Sequence, residues 1–348
     1  MNAARPPVGA GGTGQAEASP WRGGPPKRVL LLGASGSIGR ATAAALRAQG
    51  HAVVCALRPR ADIRQAARLL PGAMLRFGDV ADASWLAQQV FAPGERFDAV
   101  LSCMASRSGV PADAWAVDHR AHSQVLQAAL RAGVPQFVLL SAICVQKPRL
   151  AFQQAKLAFE QELMASGLRY AIVRPTAFFK SLSGQVERVR RGKPYLLFGD
   201  GQLTACKPIG DADLADYLAG CLHDPARWNR VLPIGGPGAA ITPREQGEAL
   251  FALLGQPPRF RSVPLGLLDT IVGGLSVAAR LAPALAAKAE LARIGRYYAS
   301  ESMLVWDAQR ARYDAEATPS TGRETLLAHY AALLRGERVH ARGEHAVF

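Results

Sequence analysis

From Lys27 onward, short apolar runs alternate with segments in which apolar residues return every three or four positions. RVLLLGA, HAVVCALRP, AMLRFGDV, FDAVLSCMA, QFVLLSAI and YAIVRPT are apolar almost throughout, as expected of strands buried on both faces. Between them, SIGRATAAALRAQG and residues 61–70, 82–91, 115–132 and 151–166 carry the helical period. Gly50 and Gly133 stand where two of these helices should stop. Strands alternating with amphipathic helices predict an α/β fold: a doubly wound parallel sheet covered on both faces, of the dinucleotide-binding type.

After Thr176 the pattern loosens. Residues 178–209 read as a loop-rich excursion, after which a helix over 211–223 and the strand VLPIGG rejoin the sheet. From about 241 to 348 the chain is mainly helical and should form a smaller lobe over the carboxyl edge of the sheet. The predicted organisation is a disordered leader over 1–26 and a dinucleotide-binding domain over 27–177, joined by 211–236. Residues 178–210 and 237–348 form the substrate lobe. The leader is rich in Gly, Ala and Pro and has no apolar core long enough for a signal peptide. Residues 265–287 are apolar, but Asp269, Arg280 and Pro283 interrupt them, which argues against a transmembrane span. A core helix pair or the greasy wall of a substrate pocket is expected there. A helix lying in a membrane interface is the alternative.

Gly33-Ala34-Ser35-Gly36-Ser37-Ile38-Gly39 follows the first strand and opens the first helix. Glycine allows the sharp turn and the close approach of a pyrophosphate, and the helix N-terminus offers free N–H groups. The second strand ends Leu57-Arg58-Pro59-Arg60, with no acid to accept from a ribose 2′-hydroxyl. Arg58, with Arg60 or Arg40 as a second contact, suits a 2′-phosphate, so the expected cofactor is NADPH.

Charge alters the picture little. The net charge is +14 and arginine carries the excess, since only seven of the 41 basic residues are lysines. An attraction to anions and a plain bias towards arginine both remain open. The arginines form no stripe interleaved with aromatics, so nucleic acid is not an expected partner. Cys55, Cys103, Cys144, Cys206 and Cys221 form no CxxC pair, which suits a reducing, cytoplasmic compartment. His119 and His122 have no third ligand nearby in sequence and read as surface histidines; no metal is expected.

Residues 138–160 carry the reactive chemistry. They end a strand with Ser141 and open a helix on Phe152-x-x-x-Lys156. Short-chain dehydrogenases place Ser and Tyr-x-x-x-Lys in that order, with the tyrosine as proton donor; here phenylalanine replaces it. From about Lys27 to Tyr330 the chain resembles the 8-vinyl reductases of 3,8-divinyl chlorophyllide, atypical short-chain dehydrogenases of chlorophyll synthesis. The resemblance rests on LLSAICVQKP, FQQAKLAFE, IVRPTAFFKSL, KPYLLFGDG, ACKPI and YYASESMLV.

That resemblance implies NADPH, a tetrapyrrole substrate and no metal. It implies a nicotinamide-ribose role for Lys156, with Ser141 beside it. Asp79 and Val80 would hold the adenine, and Ser102, Cys103 and Met104 would line the ribose path. Pro175 and Thr176, after Arg174, would lie against the carboxamide. Phe178 and Phe179 are candidates for the pigment slot, and Lys180 and Lys207 for the substrate carboxylate. Five of the seven lysines (Lys147, Lys156, Lys180, Lys193 and Lys207) fall in this middle stretch. Two alternatives stay open: a double-bond reductase of another aromatic, and a sensor or assembly protein that binds NADPH without turning it over. Peripheral contact with a photosynthetic membrane is also open.

Overall fold

The computed structural model describes residues 24–59 and 61–338. The expected leader lies outside the described residues except for positions 24–26, and Arg60 lies outside them too. The chain begins with β1 (Arg28–Leu32), α1 (Ser37–Ala48), β2 (Ala52–Leu57), α2 (Ile63–Leu69) and β3 (Met74–Phe77). Next comes α3 (Ala83–Trp85), which continues as a π-helical turn over Leu86–Val90. β4 (Ala99–Ser102) leads to α4 (Pro111–Ala114), a second π-helical segment over Trp115–Ala121, and α5 (His122–Arg131). β5 (Gln136–Leu140), α6 (Ala151–Ala165) and β6 (Arg169–Pro175) follow. Then come α7 (Phe179–Leu182), α8 (Val186–Arg190), β7 (Tyr195–Phe198), α9 (Asp211–Gly220) and β8 (Arg230–Ile234). The rest is α10 (Pro243–Leu253), β9 (Phe260–Val263), α11 (Leu265–Leu281), α12 (Ala286–Tyr298), β10 (Val305–Asp307), β11 (Arg312–Asp314) and α13 (Leu326–Leu334).

One seven-stranded sheet runs β3-β2-β1-β4-β5-β6-β8, every neighbouring pair parallel. The apolar runs produce it directly. In β1, Val29 and Leu31 point to one core with Leu46 of α1 and Leu214 and Leu218 of α9. Leu30 and Leu32 point to the other, with Val125, Leu126 and Phe159. With both faces covered, no position of β1 after Arg28 can be polar, and truncating one of these leucines to alanine should cost about 2–5 kcal/mol. The strand order reverses between β1 and β4, and the crevice beyond the carboxyl ends at such a reversal is where doubly wound sheets take ligands. Residues 230–234 rejoin the sheet beside β6, as the sequence predicts.

The remainder is less purely helical than expected. β7 and β9 form a parallel pair, and β10 and β11 an antiparallel one. A separate core gathers Phe179, Val186, Val189, Tyr195, Leu250, Phe251 and Tyr330. The expectation of a core helix pair over 265–287 is corrected: no residue of α11 is buried. The helix packs on α12 and leaves Leu267, Ile271, Val277 and Leu281 exposed, Leu281 at 87%. Among the described residues, no helix is long and apolar enough to cross a membrane.

Candidate active site

The turn between β1 and α1 is shaped for a close approach. Gly33 has φ +72°, and a Cβ there would stand 2.5 Å from the carbonyl carbon of Cys103. At Gly39 a Cβ would stand 2.1 Å from the oxygen of Gly33, so helix and turn can touch only without side chains. At Gly36, by contrast, the nearest heavy atom to such a Cβ is 3.5 Å away, and Ser35 and Gly36 are exposed. No side chain caps α1 and its first turn carries no acid, so no capping side chain takes up the N–H groups of the helix start. Arg40 braces the turn by donating to the Ser35 carbonyl at 2.7 Å. An open, uncapped helix start at the sheet's reversal point fits a pyrophosphate.

Around this turn, Arg58 is exposed at the end of β2, and its guanidinium has no partner among the described residues. Asp79 is exposed, with Oδ1 accepting from the Ala81 N–H at 2.9 Å, and Val80 packs on the core. Ser102 is fully buried, and its hydroxyl belongs to a chain of bonds. The Met104 N–H donates to Ser102 Oγ at 3.2 Å, and Ser102 donates to His122 Nε2 at 2.8 Å. His122 Nδ1–H donates in turn to the Val117 carbonyl at 2.8 Å. His122 is therefore interior, not at the surface as its sequence setting suggested. Burial pushes its pKa down to about 4, with the Lys156 charge acting in the same sense. Cys103 packs against Thr42 (3.6 Å), and burial pushes its thiol up to about 12. All five cysteines are free.

Lys156 lies on α6 with its side chain 11% exposed, and Nζ donates to Asp118 Oδ1 at 3.0 Å. Asp118 sits on the π-helical segment and also accepts from Ser106 Oγ at 2.6 Å and the Ser106 N–H at 3.2 Å. Sequence reasoning missed Asp118. Its signal was the Asp118–His122 spacing, which puts two polar groups on the inward face of a helix.

Ser141 departs from its expected setting. Its hydroxyl donates to Glu160 Oε1 at 2.5 Å, in the interior, where Glu160 also pairs with the Arg174 guanidinium. The next residue, Ala142, packs instead with Phe152, Ile143, Cys144 and Tyr297. Because side chains alternate along an extended segment, it is position 142 that turns towards Phe152. Glu160 was a second miss, legible only as an acid in a buried stretch of α6.

The segment from Tyr297 to Val305 closes over this cluster. Tyr297 donates to the carbonyls of Cys144 (2.9 Å) and Lys147 (3.1 Å), and Tyr298 reaches Cys144 Sγ at 3.8 Å. Glu301 accepts from Lys147 Nζ at 2.7 Å and from Tyr313 at 2.5 Å, and pairs with Arg149 at 3.0 Å. Lys147 also lies over the Trp306 ring, 4.2 Å from its centroid. Lys147 thus clamps the loop after β5 to the roof.

At β6, Pro175 and Thr176 are buried; the Thr176 N–H donates to Ile234 O at 2.9 Å and its hydroxyl to the Lys207 carbonyl. Lys207 Nζ donates to the Thr318 carbonyl at 2.8 Å, and Lys180 is half-buried on α7. Phe178 packs on the main core. Phe179, 2% exposed, lies in the core of the second lobe against His329. The pigment-slot expectation for Phe179 is corrected: it packs inside the lobe, so a charge there would disrupt folding before it affected any ligand.

A parallel sheet with this order, a glycine turn at its reversal point and a lysine one helical turn after the tyrosine position define an NAD(P)H-binding short-chain dehydrogenase type of protein. The family profile described as NAD(P)H-binding matches residues 33–225. The NADPH-dependent quinone oxidoreductase QOR2 of Escherichia coli, solved with NADPH, shares the fold. It has a TM-score of 0.61 and 18% identity, covering 88% of this chain and 99% of that one. The chain is 47% identical to divinyl chlorophyllide a 8-vinyl-reductase of Oryza sativa subsp. indica over 95% of its own length and 85% of that protein's. Its Zea mays counterpart is likewise 47% identical, over 95% and 86%. The chain belongs to the divinyl chlorophyllide a 8-vinyl-reductase family.

Proposed function

We propose that this chain reduces the 8-vinyl group of 3,8-divinyl chlorophyllide a, or of divinyl protochlorophyllide, to an ethyl group, with NADPH as reductant. The observation that carries the reading is Phe152 in the tyrosine position beside Lys156, in a chain of this family. A carbonyl reductase needs an acid there to protonate an alkoxide. A vinyl group conjugated to a tetrapyrrole does not, because the macrocycle spreads the charge and a weak acid suffices.

Bound NADPH supplies a hydride. In this reading the uncapped start of α1 holds the pyrophosphate, and Arg58 reaches the 2′-phosphate with a planar fork. Asp79 and Val80 flank the adenine. Lys156, held by Asp118, positions the nicotinamide ribose, with Pro175 and Thr176 against the carboxamide. Ser141 acts through Glu160, fixing the end of β5 rather than touching the substrate. Lys180 is the better of the two lysine candidates for the substrate carboxylate, since Lys207 already serves the Thr318 carbonyl.

We further infer a cytoplasmic enzyme with α11 as its contact with the photosynthetic membrane. Exposed Leu267, Ile271, Val277 and Leu281 support this, as do exposed Arg280 and Lys288, which suit anionic lipid. Co-sedimentation with anionic vesicles should fall severalfold when Leu267 and Val277 are both made Ser, about 0.8 kcal/mol being at stake per buried methylene. Unchanged binding would remove α11 from the contact.

The enzymatic reading is tested by NADPH oxidation on adding divinyl chlorophyllide. Oxidation that appears only with another aromatic favours a different double-bond reductase. NADPH binding without oxidation favours a sensor or assembly protein.

A further inference from the structure

The reaction above delivers a hydride and still requires a proton, and Phe152 has none to give. We propose that Tyr298 is the proton donor, an inference that rests on the vinyl-reductase reading. The Tyr298 hydroxyl comes off the end of α12 and meets Cys144 Sγ at 3.8 Å. Cys144 is buried in the cluster that holds Phe152 and Ala142, and the Lys156 charge acts on its thiol. One sulfur therefore joins the cluster around Phe152, one helical turn before Lys156, to a phenol from the roof. The roof returns to the site the functional group that α6 lacks.

The other tyrosines near the roof are committed. Tyr297 is held by two backbone carbonyls, and Tyr313 donates to Glu301. Among the described residues the Tyr298 hydroxyl has only the sulfur, a weak acceptor that is given up at little cost. The hydroxyl turns towards buried Cys144 while the residue as a whole stays 37% exposed. Burial holds this phenol well above its ordinary pKa, so it is protonated at any working pH. Such a weak acid yields its proton only to a strong base, which a carbanion is even when a macrocycle delocalises it.

The step balances. Hydride forms a C–H bond at the terminal vinyl carbon, and the π pair of the vinyl group moves onto the carbon next to the ring and into the macrocycle. The Tyr298 O–H bond breaks, its proton forms the second C–H bond, and water reprotonates the phenolate. NADPH is oxidised to NADP⁺ and the vinyl group is reduced to ethyl.

The test compares wild type, Tyr298→Phe and the double variant Tyr298→Phe/Phe152→Tyr with NADPH and divinyl chlorophyllide. Tyr298→Phe should lower kcat on the order of a hundredfold, with both Michaelis constants within about threefold of wild type. The kcat slowing in D2O should grow, because solvent must then deliver the proton. Phe152→Tyr added to that variant should restore at least about tenfold, because it places a phenol at the tyrosine position beside Lys156. A kcat within about threefold of wild type for Tyr298→Phe overturns the proposal. So does a loss that the second phenol fails to rescue. Wild-type enzyme that oxidises no NADPH with the pigment overturns the functional reading, and this proposal with it.

Discussion

At the turn between β1 and α1 the groups offered to a ligand are main-chain N–H groups, whereas around Phe152 they are side chains from distant stretches of chain. Gly33 and Gly39 fix the turn through one positive φ and close backbone contacts, and Gly36 leaves it open, all within seven residues. The second needs Asp118 from a π-helical segment, Lys156 from α6, Cys144 from the loop after β5 and Tyr298 from α12. A backbone site is specified by what is absent, namely side chains. A side-chain site is specified by partners 38 to 154 residues apart. The two halves should therefore fail differently under mutation, the first through cofactor affinity and the second through turnover.

The largest effect should come from the point where the halves meet. Lys156→Ala is expected to lower kcat on the order of a hundredfold, since hydride transfer is sensitive to small displacements of the nicotinamide. Asp118→Asn keeps the shape but weakens the hold on Lys156, and should cost about tenfold in kcat. If both variants instead raised the NADPH Michaelis constant alone, Lys156 would belong to the cofactor half and the division drawn here would fail.

A smaller effect belongs wholly to the backbone half. Arg58→Ala should raise the NADPH Michaelis constant about tenfold, or about 1.4 kcal/mol, with kcat unchanged. NADH use should not change. Because the Arg58 guanidinium is exposed and has no partner among the described residues, its removal breaks no bond described there. Equal losses with NADH and NADPH would show that Arg58 does not read the 2′-phosphate.

The same contrast explains what was legible in the sequence. Period and turn chemistry are local, so the seven-stranded sheet, the glycine turn and the return of 230–234 could be read from short windows. Whether Ser141 or Ala142 turns towards Phe152 depends on Glu160, a buried acid nineteen residues away, and no window shows that. Phe179 illustrates the same limit: an aromatic after β6 looks like a pocket wall until α10 and α13 are seen to bury it. α11 errs in the opposite sense, since its apolar run predicts burial and the helix packs mainly on α12 with no residue of its own buried. The roof wording YYASESMLV was distinctive as text. Its tasks appear only when Tyr297 and Glu301 are found gripping the loop after β5.

The smallest predicted effect probes the layer beneath both halves. His122 accepts from Ser102 at the end of β4 and donates to the Val117 carbonyl next to Asp118, so it joins β4 to the segment that holds Lys156. Its carbonyl bond fixes the proton on Nδ1, which leaves Nε2 as an acceptor. Protonating Nε2 would break the Ser102 bond and bury a charge close to the Lys156 ammonium, which is why the folded-state pKa falls to about 4. The unfolded chain binds that proton near the ordinary value of about 6.5, so protonation favours unfolding. Stability from His122 is therefore complete above pH 6.5 and drains away as the pH falls towards 4. Between pH 8 and pH 6 the loss should be about 1 kcal/mol, and His122→Gln should remove that slope from the difference between variant and wild type. Denaturant unfolding of both proteins at the two pH values measures it. An identical pH slope in the variant would mean that His122 is charged or solvated in the folded protein, and the bond chain from Met104 to Val117 would have to be abandoned.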